Sequence, residues 1–345
     1  MKQTRTQDIS TKTRTGAAPA NGAAMRPVRP GRPFGGGLLP KAGVLALLLG
    51  FPLGASLLTA GEQPQYRFTE IAVPSTSYAV GINNHGTVSG YYTDAATGDV
   101  LSFVLERGVL TTGLAGPGAT ITAIGGANNR DLETGNYGDF THQQAVLYDI
   151  RHGTFTLLPE VPGLPFSFGQ GINDFGHVSG VSYISGDWIN GGNGLGQNWI
   201  WDGEDYTFYT VPGAVNGAVA GGINNRDQVT GFYVDSSGTP RGFLKHGPDF
   251  TTLDAPGAVY TLGFGINNLG AVVGRYLDAT GGHHGYYWIR GTFVTVDANI
   301  AGSLGTQWIA INDHGDLAGN IWTAPGYTAH AVIAERVDGD GDQAD

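Results

Sequence analysis

Four aspartates occur at the same position of a repeated pattern, and their carboxylates could bind a cation or a polyhydroxylated ligand. Each opens a loop after a short apolar segment that contains a glycine: Asp94, Asp139, Asp235 and Asp278. Carboxylate oxygens are typical calcium ligands, so these residues are candidates for a partial acidic ring that binds calcium or a sugar. The alternative is that each aspartate caps its own turn, as sequences such as D-A-A-T-G and D-S-S-G favour.

Two adjacent histidines lie in the same kind of loop. His283 and His284 follow Asp278 closely, and two imidazoles with a carboxylate are a ligand set that zinc accepts. However, His284 takes the position that His330 holds in a later copy of the pattern and Arg241 in an earlier one. That exchange favours a structural role for His284 over metal binding.

The longest of these loops, residues 182–201, is rich in Gly and Asn and contains Tyr183 and three tryptophans. Exposed aromatic rings can stack on sugar rings, and long loops on rigid scaffolds often carry function. Trp199 and Trp201 fit better as core residues of a strand. Trp188 is therefore the candidate for ligand binding in this loop.

Familiar catalytic patterns are absent from the sequence. The chain has no Cys, which excludes disulfides, thiolate metal sites and a cysteine nucleophile. It also contains no G-x-S-x-G, no H-E-x-x-H and no phosphate-binding loop. This favours a binding protein over an enzyme. A hydrolase or lyase whose acids come from separate repeats stays open as the alternative.

The candidate residues all belong to a pattern that recurs six times, in copies that we call units one to six. Its core is I-N-[ND]-x-[GD]-x-[VL]-x-G, and the first Asn of each unit is Asn83, Asn128, Asn173, Asn224, Asn267 and Asn312. The spacings of 45, 45, 51, 43 and 45 residues are close to the length of a four-stranded propeller blade.

Each unit predicts four short strands. The segment that begins with Asn reads as a tight turn, because Asn and Gly tolerate left-handed backbone conformations and Asn can bond to its own backbone. Asp131 and Asp227 replace the turn glycine in two units and still suit such a turn. The glycine inside the second strand predicts a close backbone approach or a bulge.

The count of fourth strands predicts how the fold closes. Unit six ends without a fourth strand, whereas a similar segment, residues 66–74, precedes unit one. We therefore predict that residues 61–337 form an all-β fold, a six-bladed β-propeller of four-stranded blades, closed by an N-terminal strand that completes the last blade. A β-solenoid is the main alternative.

Residues 1–60 have the composition of an export signal. Eight of the 18 basic residues lie there, and they precede the apolar run A-G-V-L-A-L-L-L-G-F-P-L-G-A-S-L-L-T-A, which ends at Ala60. This predicts a cleavable secretory signal, with Met1 or Met25 as the start, and a secreted or periplasmic protein with no membrane span in the mature chain. A retained N-terminal membrane anchor is the alternative. Residues 338–345 read as a solvated acidic tail.

Charge narrows the range of partners. Residues 61–345 contain 10 basic and 28 acidic residues, a net charge of −18 (10 − 28). Such a body repels phosphate backbones, so nucleic-acid binding is not expected. No cofactor is expected other than calcium, and we expect a monomer.

The units resemble the HAF family of extracellular bacterial repeats. The resemblance rests on I-N-N-x-G-x-V-x-G-x-Y-x-D…H-G-[FY] with F-T-T-L-D-A-P-G-A between units, and it covers nearly everything after residue 60. Units four and five match best, whereas Ala127, Ile184 and Thr323 depart from the pattern. The resemblance implies export and a repeated β-architecture, and it transfers no activity.

Together these observations predict a secreted binding or scaffold propeller that recognises a glycan or another extracellular macromolecule through its loop-rich face. A propeller hydrolase or lyase acting on carbohydrate or lactone is one alternative. A structural surface protein with no small ligand is the other.

Overall fold

The computed structural model describes residues 64–184, 196–215 and 217–337. Within these ranges the regular secondary structure consists only of β-strands, which confirms the predicted all-β class. The predicted signal and the acidic tail lie outside the described residues.

The strands follow the sequence pattern closely. In chain order they are β1 (Gln65–Glu70); in unit one β2 (Ser77–Ile82), β3 (Val88–Thr93), β4 (Val100–Glu106) and β5 (Val109–Leu114); in unit two β6 (Ile121–Ala127), β7 (Leu132–Gly138), β8 (Gln143–Asp149) and β9 (Thr154–Leu157). Unit three contains β10 (Phe166–Ile172), β11 (Val178–Tyr183), β12 (Gln197–Trp201) and β13 (Tyr206–Tyr209), and unit four contains β14 (Ala218–Ile223), β15 (Val229–Val234), β16 (Pro240–His246) and β17 (Asp249–Leu253). Unit five contains β18 (Tyr260–Ile266), β19 (Val272–Leu277), β20 (His283–Ile289) and β21 (Thr292–Thr295), and unit six contains β22 (Ser303–Ile311), β23 (Leu317–Thr323) and β24 (Thr328–Val337).

Units one to five are each an antiparallel meander of four strands paired in chain order. Unit six has only β22, β23 and β24 in sequence order. Strand β1 pairs antiparallel with β24, from Gln65 opposite Val337 to Glu70 opposite Val332. The N-terminal strand therefore holds the fourth position of unit six.

Neighbouring units meet through their first strands. Strand β2 contacts β6, and the contacts continue through β10, β14, β18 and β22 back to β2. Side chains at one register of these strands line the space between them: Ile82, Ala127, Ile172, Ile223, Ile266 and Ile311.

The glycine of each second strand allows two backbones to approach. A Cβ at Gly90 would overlap the carbonyl oxygen of Tyr78 on the first strand, and the same clash occurs at the equivalent glycine of every unit. The first strand has a register shift beside this glycine, between Ala79 and Gly81 in unit one. Both the predicted close approach and the predicted bulge are therefore present.

The same glycine makes room for a large side chain of the third strand. Gly180 lies opposite Trp199, and Gly231 lies opposite Phe243. Trp199 is fully buried, and its indole N–H donates to Ser182 Oγ at 2.9 Å. The assignment of Trp199 to the core is therefore confirmed.

Candidate functional site

The first Asn of every unit links that unit to the next one. Asn83 Nδ2 donates to the backbone oxygen of Asn128 at 3.1 Å, and the equivalent bonds continue from unit to unit. The sixth bond runs from Asn312 Nδ2 back to the oxygen of Asn83 at 3.2 Å. The bonds therefore form a circuit of six.

The side-chain oxygen of the same residue caps its own turn. Asn83 Oδ1 accepts bonds from the amides of His85 and Thr87, both at 3.0 Å. A short side chain with its acceptor and its donor on two separate atoms of a planar amide is specific to Asn. The prediction that Asn bonds to the backbone of its own turn is confirmed. The residue in the left-handed conformation is a different one: it is Gly86 in unit one, Asp131 in unit two and Asp227 in unit four.

A second circuit follows one residue later in the chain. The backbone amide of each residue donates to Oδ1 of the next member: Asn84, Asn129, Asp174, Asn225, Asn268 and Asp313. Asp174 Oδ2 also accepts from Nδ2 of Asn129 and of Asn225, at 3.0 and 2.8 Å. Asp313 accepts equivalent bonds from Asn84 and Asn268, both at 2.9 Å. Every Asn amide of this circuit is thereby paired with an aspartate.

These two circuits occupy the turns at one end of the first strands, where the sequence predicts a structural role. Although burial alone would raise the pKa of Asp174, hydrogen bonds from Asn225 and Asn129 hold it below its ordinary value. The turns therefore connect all six units.

The four loop aspartates lie at the other end of the units, and each caps its own turn. Asp94 Oδ1 accepts from the amides of Ala96 and Thr97, at 2.8 and 3.0 Å. The other three make equivalent bonds to residues two to four positions later. Hydrogen bonds keep the pKa of each carboxyl below its usual range, chiefly from backbone amides at Asp94 and Asp278 and from the side chains of Thr141 and Ser237 at Asp139 and Asp235. Capping is therefore observed at all four, and calcium binding there stays a prediction.

His284 is held between two carboxylates. Its Nδ1 lies 2.7 Å from Asp297 Oδ2, and its Nε2 lies 3.2 Å from Asp278 Oδ2. Burial alone would lower the pKa of His284, but these hydrogen bonds raise it. Because both ring nitrogens of His284 already face carboxylates, neither is free to bind a metal.

The equivalent residues of units four and six bind in the same way. Arg241 bonds to Asp235 and Asp254, and His330 contacts Thr323 and Glu70. Glu70 is the last residue of β1, and the acids that take its place in units four and five, Asp254 and Asp297, come just after the fourth strand. The predicted structural role of this position is therefore observed in three units.

His283 points away from His284 and into a cluster of aromatic residues around an arginine. Tyr260 Oη lies 3.3 Å from His283 Nδ1, and the Trp322 ring centroid lies 5.7 Å from that of His283. The Arg275 guanidinium lies 5.2 Å from the centroid of Trp322 and 5.9 Å from that of Tyr260. We call Tyr260, Arg275, His283 and Trp322 the aromatic–arginine cluster.

The cluster lies at the loop-rich end of the units. Tyr260 is the first residue of β18 and His283 the first of β20, whereas the Asn turn follows the opposite end of β18. All four residues are partly exposed. The four residues come from units five and six. Tyr78 of unit one lies close to them: burial raises the pKa of Tyr78, and the positive charge of Arg275 offsets part of that rise.

The sequence reasoning had found only His283 of these four. A signal for Arg275 was present, because the residue after the motif glycine is Tyr91, Asn136, Val181, Phe232, Arg275 or Asn320 in the six units. Arg275 is the single charged residue at that position. Its aromatic neighbours lie at variable positions, so the repeat pattern gave no signal for them.

The remaining predicted residues can be placed only in part. Trp188 lies outside the described residues. No three or more His, Asp or Glu side chains of 64–184, 196–215 and 217–337 are grouped so that they could hold a metal ion. Over the same ranges, none of the secondary structure is a helix of the length and apolarity needed to cross a membrane.

No protein-family model matches the sequence, and no curated protein matches it. Among solved structures, AofleA from Arthrobotrys oligospora is similar at 13% identity over 79% of this chain and 90% of its own, with a TM-score of 0.49. A fucose-specific lectin from Aleuria aurantia is similar at 10% identity over 79% and 100%, with a TM-score of 0.47. The β-propeller domain of the Trilobed protease from Pyrococcus furiosus is similar at 7% identity over 77% and 85%, with a TM-score of 0.46.

Proposed function

We propose that this chain is a secreted saccharide-binding module of the HAF type, built as a closed six-bladed β-propeller. The first strands contact each other in a cycle, and two circuits of hydrogen bonds join unit six to unit one. The pairing of β1 with β24 supplies the fourth strand of unit six. Each of these observations supports closure into a ring of six blades.

Export is part of the proposal. The basic segment and apolar run of residues 1–60 support a cleavable signal, and the strongly acidic remainder suits an extracellular protein. The mature protein then begins near residue 61, just before the strand that completes unit six.

The observation that carries the binding function is the aromatic–arginine cluster. Partly exposed Trp322 and Tyr260 flank a guanidinium, and His283 adds a further polar group on the same side. Flat aromatic faces stack on the apolar faces of sugar rings, while guanidinium and imidazole N–H groups bond to sugar oxygens. A rigid β-scaffold holds these groups in place without ordering a loop, which lowers the entropic cost of binding.

This proposal predicts that Trp322→Ala weakens binding. On an array of plant and bacterial oligosaccharides, the wild-type protein should bind at least one, and titration of that sugar should show at least a ~10-fold loss for Trp322→Ala. Trp288→Ala is the matched control, because Trp288 is a partly buried tryptophan of the same unit as Arg275 and packs on Phe293 outside the cluster. It should bind as the wild type does.

Circular dichroism and melting curves establish that both variants fold. The proposal fails if the wild type binds no saccharide on the array. It also fails if folded Trp322→Ala keeps the affinity of the wild type.

A further inference from the structure

Arg275 is a half-buried cation without a carboxylate partner among the described residues. Its Nε is buried and has no hydrogen-bond partner there. The groups that act on its charge are the phenols of Tyr260 and Tyr78. The other described arginines that lack an acidic partner are exposed: Arg130, Arg226, Arg290 and Arg336. Arg275 is therefore distinct within the part of the chain that the structure describes.

Arg241 shows how the same fold accommodates another arginine of low exposure. Its side chain is 30% exposed, and it bonds to two carboxylates, those of Asp235 and Asp254. Acids are plentiful, since residues 61–345 contain 28 of them. A shortage of acidic residues therefore does not explain why Arg275 lacks a carboxylate partner. An unpaired, partly desolvated charge costs stability, and burial lowers the pKa of Arg275.

The aromatic contacts leave the hydrogen-bonding edge of Arg275 available. A guanidinium that lies near aromatic faces is attracted by their π-electrons, while its N–H groups point outward in its own plane. The terminal nitrogens of Arg275 donate no hydrogen bond to any described residue and, unlike Nε, are not fully buried.

The neighbouring groups do not compete for this edge. Burial and the charge of Arg275 lower the pKa of His283, so the imidazole is neutral at neutral pH and can bond to a sugar hydroxyl. The phenol of Tyr260 already contacts His283.

We propose that Arg275 binds the carboxylate of an acidic saccharide, such as a uronic acid, whose ring lies on Trp322. This inference rests on the proposed saccharide-binding function and specifies its ligand class. A planar carboxylate matches the two-pronged guanidinium edge. At the contact itself a carboxylate brings one negative charge, whereas a phosphate monoester brings up to two, which a strongly acidic protein repels more strongly.

The test compares two saccharides that differ in the carboxylate. Titration calorimetry with α-1,4-trigalacturonic acid and with neutral α-1,4-galactotriose should show at least ~10-fold tighter binding of the acid. Arg275→Gln should abolish that preference, and Arg275→Lys should retain part of it. Arg226→Gln removes an exposed charge from the Asn turn of unit four and should leave the preference unchanged.

Melting temperatures separate recognition from a structural role. Because Arg275 has no acidic partner, Arg275→Gln should be at least as stable as the wild type. A large loss of stability in this variant would show that the guanidinium is needed for folding and would contradict the inference.

The outcomes also separate this inference from the proposed function. Equal affinity for the acid and the neutral sugar overturns the inference and leaves saccharide binding intact. A preference for the acid that survives in Arg275→Gln, or tighter binding of a sulfated galactotriose, also overturns it. Failure to bind any saccharide overturns the proposed function itself.

Discussion

At the residue scale, the repeated Asn makes two kinds of hydrogen bond at once, one within its own turn and one to the next unit. Asn83 caps its turn with Oδ1 and reaches the next unit with Nδ2. Asp would lose the donor, and Ser would lose the planar pair of groups. The restriction to Asn in all six units has this physical cause.

Asp174 provides a direct test of the second circuit. Asp174→Asn places an amide donor against the Asn129 and Asn225 amides, so at least one hydrogen bond is lost and the free energy of unfolding should fall by about 1–2 kcal/mol at pH 7. Urea denaturation measures this. Asp202→Asn is the control, because Asp202 is an exposed turn cap whose role Asn can fill.

The same variant has a predicted pH dependence. The folded-state pKa of Asp174 is lowered, so the carboxylate stabilises the protein above its unfolded-state pKa, and this contribution is lost as the pH falls through the folded value. The difference between wild type and Asp174→Asn should therefore shrink in acid. An identical difference at pH 7 and in strong acid would contradict the role of this charge.

Glu133 is the second residue-scale test, because it is a fully buried carboxyl at a position that is aliphatic in the other units. The equivalents are Val88, Val178, Val229, Val272 and Leu317. Neither oxygen of Glu133 has a hydrogen-bond partner among the described residues, and the nearby Ser89 hydroxyl offsets only part of the effect of burial on its pKa. Burial raises the pKa of Glu133 to about 8.

A raised carboxyl pKa makes the folded state lose stability as pH rises. The loss begins near the unfolded pKa of 4.5 and is complete above about 8. Glu133→Leu should remove this slope and stabilise the protein at pH 9 by on the order of 3–5 kcal/mol. Glu133→Gln should also remove the slope while leaving a buried polar group. Retention of the wild-type slope in either variant would show that Glu133 does not titrate.

At the element scale, β1 is the strand whose position matters most. It pairs with β24 along its whole length, and the Phe68 ring stacks on buried Trp308 with centroids 6.1 Å apart. Its exposed face adds the ion pair of Arg67 with Glu335, which contributes little by itself. The packing of Phe68 and the backbone ladder are therefore what β1 supplies.

Removal of residues 61–74 should destabilise the whole domain. Loss of a fully buried aromatic costs about 3–5 kcal/mol, so loss of the partly buried Phe68 costs a fraction of this, and the β24 edge is also left unpaired. A peptide of residues 64–74 added in trans should restore part of the melting temperature. Unchanged melting of the truncated protein would contradict the assignment of β1 to unit six.

The sequence predicted the elements of the fold better than the site. The turn at each Asn and the glycine of the second strand reflect local chemistry, so one unit reveals them, and comparison of the units reveals the spacing of 43 to 51 residues. A count of fourth-strand segments predicted the role of residues 66–74, because unit six lacks such a segment and these residues resemble one. The hydrogen bonds of the two Asn circuits could not be predicted, because they join residues at least 43 positions apart.

The candidate site shows the same limit. The turn-capping alternative for Asp94 and its equivalents was predictable, since the capped amides are two to four residues away. The aromatic–arginine cluster was not, because Arg275 and Trp322 are brought together only by the packing of units five and six. A repeat pattern records what the units share, whereas this cluster consists of residues that they do not share.

At the scale of the whole molecule, the proposed ring explains how one end is fixed and the other is free to vary. The Asn turns bond all units together, whereas the loop-rich end contains the parts that differ between units. Within the part of the chain that the structure describes, Arg275 lies among aromatic residues without a carboxylate partner, and this is the basis for the proposal that units five and six bind an acidic sugar.

The most direct test is a crystal structure of the protein with α-1,4-trigalacturonic acid. The account predicts a carboxylate on the guanidinium of Arg275 and a sugar ring against Trp322. A trisaccharide bound elsewhere, with the aromatic–arginine cluster free of sugar, would contradict it.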